Sequence, residues 1–388
     1  MQQFSLSEDQ KAVVQSVRRV VRESVAPRAA EIDATGDYPW DMKELFSALG
    51  FLGADVPEEY GGTGQGLLTL CLIIEEVSKA CASSGLIIAD QELALTPIKI
   101  AGSPEQKARH LTRLATGRCL GAFCLTEPGA GSDAGAMATK AVRDGRGWVL
   151  SGTKCFITNG GLAEVYVVFA KTAPDQGVKG ISAFLVEADR PGFKVGKHEN
   201  KMGIRGSATT DIILDECRVP AGSLLGPEGQ GFGIAMATLD RTRPGVGAQA
   251  LGIAQGALDF AVGYLKERRQ FGQPLSRFQG LQWMVAELAT EIEAARALLY
   301  RAAAQIDAEA RQGKVRLSAE AGVLSAMSKL KASDVAMRVT TDAVQLVGGY
   351  GYMKDFPLER MMRDAKITQI YEGTNQVQRV VIGTRLLA

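Results

Sequence analysis

The 388-residue chain has almost no histidine, only His110 and His198. That argues against a His-rich metal site and a Ser-His-acid triad, and it favours a carboxylate as the side chain for proton chemistry. Cysteine supplies no framework either. Cys71, Cys81, Cys119, Cys124, Cys155 and Cys217 form no CxxC pair, and most sit in apolar runs, so they read as reduced core residues. Neither sign of charge dominates. The net charge is +1, which gives no electrostatic reason to expect a nucleic acid or an anionic membrane as partner. No apolar run reaches the roughly 18 residues a membrane span needs. The start, "MQQFSLSEDQKAVVQS", lacks the apolar core of a signal peptide and carries acids, unlike a transit peptide. A cytoplasmic location is expected, or the mitochondrial matrix for a chain trimmed after import.

What is present is an ordinary globular balance, 46% apolar and 22% charged residues, on a chain long enough for two or three domains. Residues 1–120 read as helical. "SEDQ" and "SPEQ" are capping-box patterns, Pro39 and Trp40 precede a helix closed by Gly50, and "LLTLCLIIEEVSKACASSGLIIADQELALTPIKIAG" reads as two buried helices. Residues 121–228 change character. Short runs rich in β-branched and aromatic residues, such as "GWVLSGTKCFITN", "EVYVVFAKTA" and "TTDIILDECRVP", alternate with turn residues. That spacing, uninterrupted by a long helix, points to an antiparallel sandwich or barrel. Residues 229–388 return to long helices. Leu281, Val285, Leu288, Ile292, Ala295, Leu299 and Ile306 keep helical spacing, and a last helix is expected to hold "KITQIYEGTNQVQR". The fold class is therefore α+β and multidomain: a helical N-terminal domain, an antiparallel β-barrel-like middle domain and a C-terminal helical bundle.

Four motifs have both a structural and a functional reading. "GAGSDA" (Gly129 to Ala134) fits GxGxxA, but no long helix follows it, which disfavours a Rossmann turn. It is either a plain glycine-rich connection or a place where bare N–H groups and Ser132 approach a phosphate or ring edge. "KCFITNG" is either an edge strand ending in an Asn-Gly turn, or a site where Thr158 bonds a heteroaromatic ring with Phe156 packed on it. "LDRTRP" at a helix start places Arg241 and Arg243 either on the surface or facing a phosphorylated ligand. "KERRQFGQPLSRFQ" repeats that theme around a Gly-Gln-Pro turn.

Taken together, "FCLTEPGAGSD", "KCFITNGG", "KMGIRGSATTDIILDECRVP", "ERRQFGQPLSRFQGLQ", "DAVQLVGGYGY" and "RDAKITQIYEGTNQVQR" resemble the acyl-CoA dehydrogenase family, in order and over essentially the whole chain. The resemblance implies a four-helix C-terminal bundle, FAD, an acyl-CoA thioester substrate, and a homotetramer (a dimer of dimers) that passes electrons to an electron-transfer flavoprotein. It implies FAD contacts at Phe123, Leu125, Thr126, Gly131, Ser132, Phe156, Ile157 and Thr158. Further contacts, shared across subunits, would come from Arg268, Gln270, Phe271, Gln279, Gln345, Leu346, Gly348 and Gly349, with Thr374 and Gln376 completing the set. Substrate would be held by Ser132, Asp240, Arg243, Tyr371 and Gly373. No metal is implied.

The resemblance also assigns a base. Glu372 of "YEGT" would take the thioester α-proton while flavin N5 accepts the β-hydrogen as hydride. Some relatives carry the base on the "LDRTRP" helix, but the matching residue here is Thr242, which cannot serve. Phe156 stands where many relatives have Trp, and Asn375 where Ser is commoner. "LIIADQELAL" would floor the acyl pocket. Its Asp90 and Glu92 either point to solvent or cap a neighbouring helix, or Asp90 enters the cavity and suits a short, branched or alicyclic acyl group. An oxygen-using oxidase on the same scaffold, a non-catalytic helical scaffold protein and a nicotinamide dehydrogenase are the competing functional readings.

Overall fold

The computed structural model describes residues 6–387, so the opening "MQQFS" lies outside it. Both expected capping boxes form. Ser7 caps α1 (Glu8–Val20), and Ser103 caps α6 (Pro104–Gln106), each with its Gln three residues on. α1 runs on through a π-turn and a 3-10 turn into α2 (Ala29–Thr35), which stops at left-handed Gly36. α3 (Trp40–Ala48) follows. The long apolar stretch forms α4 (Gly66–Ser78) and α5 (Ala82–Ala101), and α7 (Thr112–Ala115) completes the helical third.

The middle segment holds β1 (Gly121–Cys124), β2 (Lys140–Asp144), β3 (Gly147–Thr158), β4 (Val165–Lys171), β5 (Ile181–Glu187), β6 (Phe193–His198), β7 (Thr209–Pro220) and β8 (Leu224–Leu225). They form one sheet in the order β6-β7-β3-β2-β4-β5-β8. Most pairs are antiparallel, as the turn spacing suggests. The sheet is nonetheless mixed, because β1 and β2 both pair with β4 in parallel. β1 is reached directly from the helical third, so its direction is set by α5 and α7 and not by a hairpin. β4 and β5 are buried on both faces. Val165, Val167, Phe169 and Leu185 meet Leu95, Ile98, Leu114 and Leu239 of the helices. Tyr166, Val168, Phe184 and Val186 meet Trp148, Leu150, Ile212 and Leu214, because the β3 and β7 end of the sheet folds over them.

The last third contains α8 (Gly231–Glu267), a hairpin of β9 (Arg269–Gln270) and β10 (Gln273–Pro274), α9 (Gln279–Arg311), α10 (Ala319–Val347), α11 (Leu358–Ile367) and α12 (Asn375–Leu387). α8, α9 and α10 pack on one another, and α10 also carries α11 and α12. The apolar stripe read on α9 is buried at Leu288, Ile292, Ala295, Leu299 and Ile306. Two expectations need correction. "KITQIYEGTNQVQR" is not one helix: it ends α11, crosses a break and begins α12. "LDRTRP" does not start a helix but lies inside α8, whose Pro244 is internal. Pro244 has no N–H, so the Asp240 carbonyl four residues earlier receives no helical hydrogen bond.

The helical N- and C-terminal segments share one core. Phe46, Leu70, Ile74 and Ile88 pack with Leu251, Leu258, Leu288, Ile292 and Val339. All six cysteines are free and buried, as their apolar settings indicate. Among the described residues no helix is long and apolar enough to cross a membrane.

One buried ion pair shapes the loop after β1. Lys154 of β3, fully buried, donates to Glu127 at 2.8 Å and to the Leu125 carbonyl at 3.2 Å. Glu127 also accepts from the N–H groups of Ala138 (2.6 Å) and Thr139 (3.0 Å), which closes the "TEPGAGSD" loop on itself. Removing one partner of a buried pair strands the other. Lys154→Met is expected to cost about 3–5 kcal/mol in unfolding free energy, and adding Glu127→Gln should recover part of that loss in the same denaturant titration.

Candidate active site

The break between α11 and α12 holds two consecutive residues in left-handed backbone. Glu372 takes φ 51° and Gly373 φ 89°. A left-handed glutamate is uncommon and is retained only where surroundings enforce it. Here they do. Gln378 of α12 donates back to the Gly373 carbonyl at 2.8 Å and to that of Glu372 at 3.3 Å. Lys329 of α10 donates to the Gly373 carbonyl at 2.8 Å and to Asn375 Oδ1 at 2.9 Å. Thr374 Oγ1 caps α12 through the Val377 N–H. Tyr371 OH donates to Gln249 Oε1 of α8. The Glu372 N–H has no protein acceptor among the described residues.

Glu372 Oε2 accepts a 2.6 Å hydrogen bond from Thr242 Oγ1. Burial pushes its pKa above the ordinary carboxylate value, and the Thr242 bond and the charges of Arg243 and Lys329 draw it part of the way back. Arg243, nearly fully buried, pairs with Asp240, which also accepts from Arg385 at 2.8 Å. Arg243 Nε is a buried donor with no partner among the described residues.

Asp90 and Glu92 do not point to solvent. Asp90 accepts from Asn159 Nδ2 at 2.8 Å, and that amide also reaches the Gly121 carbonyl, so Asp90 sits where α5 meets β1 and the end of β3. Burial, then the charge of Glu372, holds its carboxyl well above the usual range. Glu92 is held up likewise by burial and then by Asp55, and its Oε2 has no partner among the described residues.

The remaining expected residues fall into two groups. On the β segment, a register shift between Lys154 and Ile157 lets Phe156 adopt φ 57° and stand 65% exposed. Thr158 and Thr126 are half-buried, Ser132 is exposed, and a Cβ at Gly129 or Gly131 would meet open space. "GAGSDA" leads into a single 3-10 turn and β2, not a helix, so Rossmann geometry is absent. Phe123 packs on Phe169, and Leu125 and Ile157 belong to the cores. At the other end of α8, Arg268, Gln270, Phe271 and Gln279 lie exposed around the hairpin, with Phe271 at φ 50° and 90% exposure. Arg268 lies over the Tyr350 ring, which joins this hairpin to the end of α10 with Gln345, Gly348 and Gly349. Leu346 is a core side chain. Gln376 is exposed on α12. Core side chains at Leu125, Ile157 and Leu346 leave those residues only their main chain to offer a ligand.

These features fit a flavin. Exposed aromatics in strained backbone and a glycine-bare loop facing open space suit a large planar group with a pyrophosphate. Family comparison gives the class. The acyl-CoA dehydrogenase N-terminal, middle and C-terminal domain models match residues 7–118, 122–217 and 229–387. The chain belongs to the acyl-CoA dehydrogenase family and is a flavin-dependent oxidoreductase that uses FAD.

Particular relatives are similar over their full length. A cyclohexane-1-carbonyl-CoA dehydrogenase of Geobacter metallireducens is 50% identical over 99% of both chains. The butyryl-CoA dehydrogenase structure of Megasphaera elsdenii is 44% identical with TM-score 0.95 over the whole of both chains. A chain from structural work on the electron transferring flavoprotein of Acidaminococcus fermentans is 49% identical with TM-score 0.95 over 99% of both.

Sequence reading missed Lys329 and underrated Asn375. Asn375 is a buried hub that accepts from Lys329 and donates to Ser333 (2.9 Å) and Asp334 (2.7 Å). The available signal was a lysine in register with buried Ser325, Ala332 and Ala336 on α10. Because the Thr242 hydroxyl stabilises ionised Glu372, Thr242→Ala should raise the Glu372 pKa further. If Glu372 is the catalytic base, the acidic limb of kcat/KM is expected to move up by about one pH unit, read from flavin reduction by acyl-CoA across pH.

Proposed function

We propose that this chain catalyses α,β-dehydrogenation of a short, branched or alicyclic acyl-CoA, with Glu372 as the base that removes the α-proton. The observation that carries this reading is a half-buried carboxylate of raised pKa on a left-handed turn, hydrogen-bonded to Thr242. A thioester α-proton is weakly acidic, so its base must be strengthened by exclusion of water yet remain ionised at working pH. Burial supplies the first condition, and Thr242, Arg243 and Lys329 supply the second. The free N–H of Glu372 is the donor for the thioester oxygen as enolate charge develops, a contact worth roughly 3–4 kcal/mol in the transition state.

Bound FAD supplies the acceptor for the β-hydrogen. Thr126, Gly131, Ser132, Phe156 and Thr158 hold its ring half, and Arg268, Gln270, Phe271, Gln279, Gln345, Gly348 and Gly349 hold the adenosine half of a subunit-shared cofactor. The main chains of Leu125, Ile157 and Leu346, with Phe123, Thr374 and Gln376, complete its setting. The CoA portion runs past Asp240, whose carbonyl Pro244 leaves without a helical donor, and past Arg243, Ser132 and Gly373. A homotetramer accounts for the exposure of Phe271, and an electron-transfer flavoprotein in the cytoplasm is the acceptor. Similarity to a chain from structural work on such a flavoprotein supports that acceptor.

Asp90 bears on the acyl group. A buried acid held by Asn159, beside Tyr371 and within the field of Glu372, makes the pocket floor inhospitable to a long alkyl tail. Relatives named for cyclohexane-1-carbonyl-CoA and butyryl-CoA support the same class.

Glu372→Gln should keep FAD and acyl-CoA binding and lose turnover by about 100- to 10,000-fold; near-parental turnover would refute the assignment. Rates on butyryl-, isobutyryl-, cyclohexanecarbonyl- and octanoyl-CoA test the substrate class. An optimum at octanoyl-CoA removes the role of Asp90. Peroxide formed in air without an added acceptor would identify an oxidase instead.

A further inference from the structure

We propose that Lys329 is a positioning residue of this reaction: its side chain ties the Glu372–Asn375 turn to α10 and lends Glu372 a buried countercharge. The inference rests on the assignment of Glu372 as the base.

Lys329 has no exposed surface. A lysine is rarely buried so fully, because removing an ammonium from water costs several kcal/mol unless it is paired. Yet Lys329 has no salt bridge among the described residues. Its two hydrogen bonds go to neutral acceptors, the Gly373 carbonyl and Asn375 Oδ1. Those acceptors flank Thr374, so one amine spans the end of the break and fixes the residue that follows the base. Ser333, one turn along α10, shares Asn375 and locks it from the other side.

The charged groups around Lys329 come from three elements. Glu372 acts on it from the turn, Arg243 from α8 and Asp334 from α10 itself. Asp334 is already committed to Arg379 of α12 and to Asn375. Arg243 is committed to Asp240. That leaves Glu372 as the carboxylate without a cation of its own, and Lys329 as the cation without a carboxylate. Lys329 is fully buried and reaches the carbonyl next to the half-buried Glu372, so a charge interaction between them is screened less than at the surface. Burial pulls Lys329 down to about 7, with Arg243 adding to the shift and Glu372 opposing it. A neutral amine keeps two N–H donors, so the turn is held in either state, while the countercharge is present only when the amine is protonated.

A purely structural lysine and a positioning one differ in what charge removal does. Lys329→Met removes donors and charge at nearly constant volume. With FAD retained, kcat is expected to fall about tenfold or more, and the acidic limb of kcat/KM to move up by about half a pH unit or more, because Glu372 loses a cation that favours its ionised form. Lys329→Arg should return the limb toward its parental position. If Lys329→Met does not fold, Lys329→Gln carries the same test, since it keeps a donor without the charge. An acidic limb that stays in place in a folded, flavin-loaded Met or Gln variant overturns the proposal. Turnover lost in Glu372→Gln establishes the base independently. An unmoved limb therefore counts against Lys329 alone, whereas undiminished turnover in Glu372→Gln counts against both.

Discussion

The left-handed backbone at Glu372 is the constraint on which the arrangement of the site depends. Glutamate gains nothing from φ 51° by itself, and the conformation costs on the order of 1 kcal/mol or more. The chain offsets that cost with contacts from several elements. Gln378 comes from α12, Lys329 from α10, and the Thr242 hydroxyl from α8. These positions depend on the shared helical core, because α8 packs on α4, α5 and α10, and α10 carries α12. The turn is thus a product of the fold of residues far from it in sequence. It is also why the helix must break. A continuous helix through residues 368–374 would satisfy the Glu372 N–H internally and deny it to a ligand.

The same logic recurs where other site residues stand. Phe156 and Phe271, like Glu372, are non-glycine residues at positive φ. Phe156 is turned outward by an interruption in the β3–β7 register, Phe271 by the tight β9–β10 hairpin. Both rings end largely in the open, where an aromatic costs solvation and returns no packing energy within this chain. Strain and exposure together are hard to explain as stability devices. They are ordinary consequences of aiming a ring at something other than the protein's own core.

Much of this organisation is legible in the amino-acid order. Helix starts show as Ser7 and Ser103 with a glutamine three residues on, the β segment shows as short apolar runs between turns, and the stripe of α9 follows helical spacing. What was not legible depends on encounters across the chain. Nothing local to Lys329 says that its helix face turns inward toward Gly373, 44 residues later. Asp90 could be read as solvent-facing because its partner, Asn159, is 69 residues away. The parallel β1–β4 pairing was missed for the same reason: strand direction follows from the path of the helices before it. The break inside "KITQIYEGTNQVQR" was signalled by Gly373, but which carbonyls would need outside donors was not.

The contact between Thr242 and Glu372 bears on the two base positions that the family resemblance implies. The two side chains meet at 2.6 Å although one lies within α8 and the other on the α11–α12 break. A carboxylate growing from position 242 would therefore occupy nearly the volume that Glu372 fills, in the field of the same cations. What differs is the backbone. From α8 the acid is held by a regular helix and needs no strained turn. In the role proposed for it, an acid at position 372 would bring its own free N–H to the reacting carbonyl, so that base and oxyanion donor would belong to one residue and move together. That coupling makes precision of the turn, more than the identity of the acid, the property the surrounding residues maintain.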